Sequence, residues 1–280
     1  MEIDIKRICS KIIRDNFDRI SQYSIQLFHN DVPNWESSPP EPIGTGVLIK
    51  HENNHFIVSA AHVLQPYGTK QKRNPYRDES DYDNPLGAFL SLENIGFYYG
   101  GFYYPIKEAT YTSITGEVEN LIDIAVIKLE KETVEELLGK QFVDYSLMEL
   151  HHAITTQNRY IVYGYPAEWT DLKSDKIVRK PLKMITRGID ASMAKGLKLD
   201  TQYNLLIGYD PKNLVDEDDN VLDISSPNGI SDCGLWYYGT DGRLKLAGIM
   251  TENKNEIEGA PFMMATRIDT IIDILKYRIN

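Results

Sequence analysis

Residues 44–64 have the sequence GTGVLIKHENNHFIVSAAHVL, which contains two short runs rich in Val and Ile, VLIK and HFIVSA. The polar residues HENN join the runs, so this stretch predicts a β-hairpin. The second run ends in alanines that are followed by His62. Small residues at this point allow the backbone to turn tightly and leave the imidazole at the strand end. A lone histidine in this position is more often structural than catalytic.

The chain beyond the hairpin continues as short runs rich in Val, Ile and Tyr, separated by turn residues. We expect strands in AFLSLENIGFYYGGFYYPI, DIAVIKL, RYIVYGYP, LKMITRG, NLLIGY, GLWYYGTDGRLKLAGIMTE and FMMATRI. This succession is typical of an all-β barrel or sandwich.

Helical patterns occur mainly near the two ends of the chain. Apolar residues at helical spacing predict an amphipathic helix within residues 3–28, and IDTIIDILKYRI predicts a C-terminal helix. Residues 31–42 are rich in Pro, Ser and Asn and predict a linker. Residues 71–85 predict a long surface loop, and residues 130–155 predict a partly helical connection between two β regions.

The composition excludes several classes of protein. A net charge of -11 argues against a general nucleic-acid binder, which needs a broad basic surface. Two cysteines, Cys9 and Cys233, do not make a disulfide framework. The first residues lack an apolar signal core, and no stretch is apolar enough to span a membrane. We therefore expect a cytoplasmic protein without membrane or nucleic-acid partners.

The sequence offers no convincing metal site. The acidic tract VDEDDN, residues 215–220, lacks the Gly and the closing Glu of an EF-hand and predicts a solvated loop. The histidines other than His62 show no credible metal cluster. We expect neither a metal nor a cofactor.

Two further segments can complete a site with His62. Asp123 opens the apolar run DIAVIKL, where a buried carboxylate needs a partner such as a histidine ring N–H. Gly229, Ser231 and Gly234 precede the run LWYY, and a nucleophile on a sharp turn can direct backbone N–H groups at an oxyanion. Taken singly, each signal is weak: Asp123 can be an ordinary turn or cap aspartate, and residues 229–234 can be a plain glycine turn that enters a hairpin. In the order His, Asp, nucleophile they supply the three roles of a triad.

These segments together resemble the trypsin-like (chymotrypsin-fold) serine protease family, in its bacterial intracellular type. GTGVLI and FIVSAAHV resemble the family's Gly-Ser-Gly strand and Ala-Ala-His motif, and DIAVIKL resembles its Asp-[Ile/Leu]-Ala-[Leu/Val] segment. GISDCGLW resembles Gly-x-Ser-Gly-Gly-x-Leu, LAGIMTE resembles the strand after the nucleophile, and VYGYP resembles Gly-[Phe/Tyr]-Pro. The resemblance covers about residues 43–268 and neither end of the chain.

The resemblance implies an all-β fold of two antiparallel β-barrels with added N- and C-terminal helices, and an active site in the cleft between the barrels. His62 would be the general base and acid, and Asp123 would hold its tautomer and stabilise the imidazolium. The implied units are an N-terminal helical extension, a first barrel with His62 and Asp123, a second barrel with the nucleophile and a C-terminal helix, at residues 1–35, 36–140, 141–266 and 267–280.

The nucleophile can be aligned in two registers. In the serine register Gly229-Ile230-Ser231 matches Gly-x-Ser, and the N–H groups of Gly229 and Ser231 form the oxyanion hole. Asp232 and Cys233 then stand where the family has two glycines. A carboxylate at Asp232 could repel the negative charge that develops beside it.

In the cysteine register Ser231-Asp232-Cys233-Gly234 matches Gly-Asp-Ser-Gly, as in viral relatives with a catalytic cysteine. Asp232 and Gly234 then agree with the family, but Ser231 replaces the oxyanion glycine. The oxyanion hole needs a positive φ there, which glycine adopts most easily, so we favour Ser231.

The resemblance also bears on control and specificity. Ile230 stands where many members carry an aspartate that pairs with a new N-terminus, so we expect a site that is always formed or forms on partner binding. Ser225 would lie near the base of the specificity pocket. The residues that would line the peptide strand are Thr251, Glu252 and Asn253.

The leading expectation is a serine endopeptidase that cleaves a protein or peptide substrate through an acyl-enzyme. Its terminal helices would pack on the barrels or recruit a regulatory protein partner. One alternative is the same fold with Cys233 as nucleophile. Another is an inactive pseudoprotease that binds peptides; Asp232 motivates it, whereas an intact His62 and Asp123 argue against it.

Overall fold

The structure is a computed structural model. The residues that it describes are 14–30, 40–64, 68–70, 88–92, 94–100, 102–106, 109–114, 122–137, 139–173, 176–189, 201–209, 214–215, 230–239, 242–257 and 260–279. They form two large antiparallel sheets, a two-stranded ribbon and short helices.

The first sheet has nine strands, all from the first half of the chain. They are β1 (Ser24–His29), β2 (Glu41–His51), β3 (Asn54–Ser59), β4 (Gly68–Lys70), β5 (Ala88–Leu92), β6 (Ile95–Tyr99), β7 (Phe102–Pro105), β8 (Ala109–Ile114) and β9 (Asp123–Leu129). Their order across the sheet is β4-β5-β8-β9-β3-β2-β1-β6-β7, and every neighbouring pair is antiparallel.

The second half of the chain supplies the other sheet and the ribbon. The strands are β10 (Arg159–Gly164), β11 (Asp171–Lys173), β12 (Lys176–Val178), β13 (Leu182–Arg187), β14 (Asn204–Gly208), β15 (Leu214–Val215), β16 (Gly234–Tyr238), β17 (Leu244–Ile257) and β18 (Ala260–Arg267). Strands β11 and β12 form the ribbon. The other seven form an antiparallel sheet with the order β14-β18-β17-β16-β10-β13-β15.

Helices are short and lie outside the sheets. Residues 14–21 are helical and form the described part of α1. The other helical segments are α2 (Ala61–Leu64), α3 (Lys131–Glu136), α4 (Ile268–Ile274), its π-helical continuation Leu275–Ile279, and two 3₁₀ turns, Tyr145–Leu147 and Ala167–Trp169. None of the helices in the described ranges is long and apolar enough to cross a membrane.

The all-β prediction is confirmed, and one of the two sheets curls into a half-barrel. The predicted hairpin is formed by β2 and β3, which pair antiparallel around a turn in which Glu52 has a φ of 54°. Strands lie in all seven segments predicted from short apolar runs. The partly helical connection contains α3 and a 3₁₀ turn, and the predicted C-terminal helix is α4.

The N-terminal helix predicted within residues 3–28 is wrong from Ser24 onward, because Ser24–His29 form strand β1. Its apolar residues resemble one more helical turn in the sequence, but tertiary pairing decides the conformation. Strand β1 pairs with β2 on one side and with β6 on the other, and five of its six residues are buried. The first β region therefore begins before residue 36.

The sequence did not predict strand β8, because its residues ATYTSI mix Thr and Ser with few apolar side chains. Other predictions fall on segments that the structure does not describe. Residues 71–85 and 216–220 and most of the predicted linker lie outside the described residues.

Apolar side chains are divided among three large clusters. One cluster belongs to the first sheet and includes Leu48, Ile57 and Ile127. A second belongs to the other sheet and includes Val162 and Leu235. The third lies between the sheets and beneath the terminal helices, and its members include Phe17, Val47, Val58, Val126, Ile161, Trp236, Leu246, Ile268 and Ile271. The central strands are thus buried on both faces.

Candidate active site

His62 lies directly after the central strand β3, as the second residue of the short helix α2. Ala60 and Ala61 are completely buried, and their small side chains allow the chain to turn into α2 without a gap. The Ser59 hydroxyl donates to the carbonyl of Thr45 on the neighbouring strand β2 and ties the end of β3 in place. The side chain of His62 is 47% exposed, so the imidazole reaches the surface.

Asp123 is the first residue of β9, which pairs antiparallel with β3. This pairing brings the start of β9 beside the end of β3 and therefore beside His62. The carboxylate is only 4% exposed and accepts two hydrogen bonds from His62. One comes from the backbone N–H at 2.9 Å, and the other joins Nδ1 to Oδ2 at 2.5 Å. The predicted contact between these two residues is present.

The two hydrogen bonds orient the imidazole. With Nδ1 donating to a carboxylate, the neutral ring carries its basic lone pair on Nε2. A buried carboxylate also stabilises the imidazolium that forms when Nε2 takes a proton. The pair can therefore act as a general base and then as a general acid.

The predicted nucleophile segment forms a tight turn before β16. The Cys233 N–H donates to the carbonyl of Ile230 across the turn, and the Asp232 N–H donates to the carbonyl of Met250 at 2.6 Å. Ser231 is partly exposed, whereas Ile230, Asp232 and Cys233 are buried. The serine side chain is thus the accessible one of the two predicted nucleophiles.

Asp232 has a φ of 76°, a left-handed conformation that few residues other than glycine adopt. Its side chain is 2% exposed and reaches the first sheet. There the N–H and the hydroxyl of Thr45 donate hydrogen bonds to the carboxyl group. A Cβ placed on Gly44 would overlap Oδ2 of Asp232, so glycine at this position leaves room for the carboxyl group.

Burial raises the pKa of the Asp232 carboxyl well above its usual value, and the charge of Asp123 raises it further. The hydrogen bonds from Thr45 oppose this rise. Desolvation thus favours the neutral carboxylic acid.

Cys233 is completely buried beneath the same turn. A Cβ on Gly164 would overlap its Sγ, so the thiol packs directly against the end of β10. Burial raises the pKa of the Cys233 thiol well above its usual value, and the neighbouring Asp232 adds to the effect. A thiol in this environment is a poor nucleophile, because the reactive form is the thiolate.

The turn that contains Ser231 and the His62 helix meet through Gly44 and Asp232. A Cβ on Gly44 would contact both Asp232 and, at 3.0 Å, the Cγ1 of Val63, which follows His62. Asp123 lies close enough to Asp232 to influence its pKa. These contacts bring the turn that contains Ser231 to the His62–Asp123 pair.

Not every predicted site residue is described. Gly229 and Ser225 lie outside the described residues. Glu252 and Asn253 lie in β17, but only their backbone is described. Thr251 is 1% exposed, so any contribution to a substrate cleft would come from its backbone.

The sequence analysis missed the part played by Thr45. Its hydroxyl accepts the N–H of Tyr165 at 2.7 Å and hydrogen-bonds the Asp232 carboxyl, so it joins both sheets and the turn that contains Ser231. The only local signal was its position between Gly44 and Gly46. In the described ranges, no group of three or more His, Cys, Asp and Glu residues could hold a metal ion.

Compared with known proteins, the chain matches no protein-family model and no curated protein sequence.

Proposed function

We propose that the chain is a trypsin-like serine endopeptidase with His62, Asp123 and Ser231 as its catalytic triad. The observation that carries this proposal is the contact between His62 and Asp123. One buried carboxylate accepts both the backbone N–H and the ring Nδ1 of a half-exposed histidine. A histidine that served only for packing would need neither this orientation nor access to solvent.

The architecture supports the chymotrypsin-like part of the proposal. Each antiparallel sheet has an apolar cluster of its own, and a third cluster lies between them. Two packed β-barrels would distribute their apolar residues in this way. The proposed nucleophile precedes a strand of the second sheet, whereas His62 follows a strand of the first sheet and Asp123 opens another.

The proposed reaction follows from the roles of the three residues. Ser231 Oγ attacks the carbonyl carbon of the scissile peptide bond while His62 Nε2 takes the hydroxyl proton. His62 then gives this proton to the leaving amine, and the acyl group stays on Ser231. Water, deprotonated by His62, attacks the acyl-enzyme, and His62 returns the proton to Ser231 Oγ as the second product leaves. Asp123 accepts from Nδ1 of His62 throughout and stabilises the imidazolium in both steps.

The N–H groups of Ser231 and Gly229 are the proposed donors of the oxyanion hole. Donors directed at the developing oxyanion supply a large part of the catalysis in acyl transfer, because they stabilise the transition state more than the substrate. The substrate is a protein or peptide, and this chemistry requires neither a metal nor a cofactor. A cytoplasmic location is part of the same proposal.

The conformation of Asp232 supports the serine register. In that register Asp232 stands where the family has a glycine, and its φ of 76° is one that glycine adopts easily. The burial of Cys233 and the raised pKa of its thiol also disfavour the cysteine register. Ser231 is therefore the proposed nucleophile.

The buried carboxyl group of Asp232 also bears on the pseudoprotease alternative. The sequence raised the concern that this carboxylate would repel the oxyanion. The side chain is instead held by Thr45 on the first sheet, and burial favours its neutral form. Asp232 therefore gives no reason to expect an inactive protein.

A fluorophosphonate probe tests the proposal, because it reacts covalently with an activated serine. We expect the probe to label the wild-type protein and Cys233→Ala, but not Ser231→Ala. Ser146→Ala replaces an exposed serine elsewhere and serves as the matched control, with labelling equal to wild type. Fluorescent casein should likewise be cleaved by wild type, Cys233→Ala and Ser146→Ala, but not by Ser231→Ala.

Labelling that persists in Ser231→Ala would rule out this serine as the nucleophile. In a Cys9→Ala background, loss of iodoacetamide labelling and of casein cleavage in Cys233→Ala would support the cysteine register. A folded wild-type protein that neither reacts with the probe nor cleaves casein would contradict a serine peptidase.

A further inference from the structure

Thr45 contacts both parts of the candidate active site. Its carbonyl accepts the hydroxyl of Ser59, which lies three residues before His62. Its N–H and hydroxyl donate to Asp232, which follows Ser231. One residue of β2 thus holds the segments that present the proposed base and the proposed nucleophile.

The second sheet holds the same residue from the other side. The N–H of Tyr165, just after β10, donates to the Thr45 hydroxyl at 2.7 Å. A hydroxyl that accepts this bond can still donate its one proton, and the Asp232 carboxyl and the Cys233 thiol both lie within its reach. Thr45 therefore links β2, the end of β10 and the turn that contains Ser231 through one side chain.

The backbone of the turn is anchored separately to the second sheet. Asp232 N–H donates to the Met250 carbonyl at 2.6 Å, and Met250 N–H donates to the Cys233 carbonyl at 2.8 Å. The Asp232 side chain adds an attachment to the first sheet. The residue is thus held from both sheets, and its peptide bond with Ser231 is part of the anchored turn.

The surroundings of Asp232 are shaped for its side chain. Gly44 lacks the Cβ that would overlap Oδ2. The left-handed backbone at 232 is costly for a residue with a Cβ. Hydrogen bonds from Thr45 can offset that cost, whereas a glycine at 232 would need no such compensation. The presence of an aspartate here therefore suggests a use for the carboxyl group.

We infer that Asp232 is a positioning residue, which acts with Thr45 to hold Ser231 in register with His62 across the two sheets. This inference rests on the proposed function and adds to it a residue outside the triad. Misplacement of a reacting group by about 1 Å can reduce a rate by about 100-fold. Loss of the link should therefore slow acylation without changing the affinity for the reagent.

The rate of fluorophosphonate labelling tests the inference in four variants. Asp232→Gly keeps the left-handed backbone accessible but removes the carboxyl group, and Asp232→Asn keeps the shape and an acceptor oxygen. Thr45→Val removes the hydroxyl, and Thr45→Ser retains it. We expect the maximal labelling rate to fall roughly 10- to 100-fold in the glycine and valine variants. The half-saturating probe concentration should stay within about twofold, and the serine and asparagine variants should retain most of the rate.

The double variant Thr45→Val with Asp232→Gly supplies a second measurement. If the two residues act through one link, the double variant should label no more slowly than the slower single variant. If the labelling rate of the double variant falls by the product of the two single reductions, the two residues do not act through one link. Thermal unfolding of every variant identifies those that are not folded.

Two outcomes separate this inference from the proposed function. Labelling of wild type with an undiminished rate in Asp232→Gly overturns the positioning role and leaves the serine peptidase intact. Absence of labelling in folded wild type overturns the serine peptidase and the positioning role together.

Discussion

The carboxylate of Asp123 accepts two hydrogen bonds from His62, one from the backbone N–H at 2.9 Å and one from ring Nδ1 at 2.5 Å. The first bond ties the start of α2 to the start of β9, and the second orients the imidazole. Because Asp123 is buried and His62 is half-exposed, the imidazole is anchored on its buried side through Nδ1.

Replacement of Asp123 by asparagine should abolish most of the activity while the fold persists. An asparagine amide can donate to Nδ1, which would move the imidazole proton to Nε2 and remove the basic lone pair from the nucleophile side. We expect casein cleavage to fall about 10⁴-fold at neutral pH. Initial rates of fluorescent casein cleavage measure the effect.

Asp171→Asn is the matched control, since Asp171 is an exposed carboxylate that pairs with Lys180 at 3.2 Å. Its activity should equal that of wild type. A loss of less than tenfold in Asp123→Asn, with Asp171→Asn unaffected, would contradict the orienting role of Asp123.

Cys233 should resist alkylation in the folded protein. Its complete burial excludes the reagent, and the raised pKa of its thiol lowers the thiolate fraction. In a Cys9→Ala background, iodoacetamide at pH 8 should modify Cys233 at least about 100-fold faster in denaturant than under native conditions, since reaction of the native thiol requires opening of the core. Mass spectrometry of the intact protein measures the rate. Rapid native modification would contradict the buried thiol.

The sequence was sufficient to propose the three residues of the candidate triad, because each lies beside a local signal. His62 follows an apolar strand and two alanines, Asp123 opens an apolar strand, and Ser231 lies in a turn before one. Antiparallel pairing of β3 and β9 then brings His62 and Asp123 together. The all-β class is readable from the same short runs.

Thr45 and β1 could not be predicted in the same way, because long-range contacts decide both. Thr45 bonds Tyr165, which lies 120 residues further along the chain, and its partner Asp232 is more distant still. Strand β1 continues the apolar spacing of α1, so only its neighbours β2 and β6 distinguish a strand from a helical turn. Local periodicity contains neither kind of information.

The carboxyl of Asp232 should make stability depend on pH. Its pKa is raised in the folded protein, so between the ordinary aspartate pKa and the folded pKa the native state binds a proton that the unfolded chain has lost. Stability from this group therefore falls as pH rises through that interval. Asp232→Asn removes the ionisation, so its free energy of unfolding relative to wild type should increase with pH.

Urea unfolding of both proteins at half-unit steps from pH 4 to pH 8 measures the difference. Other titrating groups largely cancel between the two proteins, although Asp123 also faces Asp232 and contributes its charge. A constant difference between the two stability curves over this range would contradict the raised pKa.

Gly44→Ala should destabilise the protein because of Asp232. The added Cβ would overlap the carboxyl oxygen Oδ2, and overpacking of this kind costs about 1–3 kcal/mol. In an Asp232→Gly background the same substitution should cost at least about 1 kcal/mol less, since the two Asp232 atoms among its three nearest neighbours would be gone. Urea unfolding of the four proteins completes the cycle. Equal costs in both backgrounds would rule out the overlap.

Gly208→Ala is the matched control for the alanine substitution. Its Cβ would have neighbours at 3.7 and 3.8 Å, which is ordinary contact, so its cost should be independent of residue 232.

Lys140 should give stability the opposite pH dependence above neutrality. Its Nζ donates to the carbonyls of Ser21 and Ser24, at the end of α1 and the start of β1. Burial, helped by Arg179, lowers the pKa of this lysine from 10.5 to about 8. Between these two values the unfolded chain binds a proton that the folded protein has released, so stability from this group rises with pH.

Lys140→Met removes the titrating group, so its stability relative to wild type should decline between pH 8 and pH 10. Urea unfolding at pH 7, 8, 9 and 10 measures the trend. Lys131→Met, which replaces an exposed lysine, should follow the wild-type curve. If the Lys140→Met and wild-type curves stay parallel from pH 8 to pH 10, the ammonium group of Lys140 is not destabilised by burial at the junction of α1 and β1.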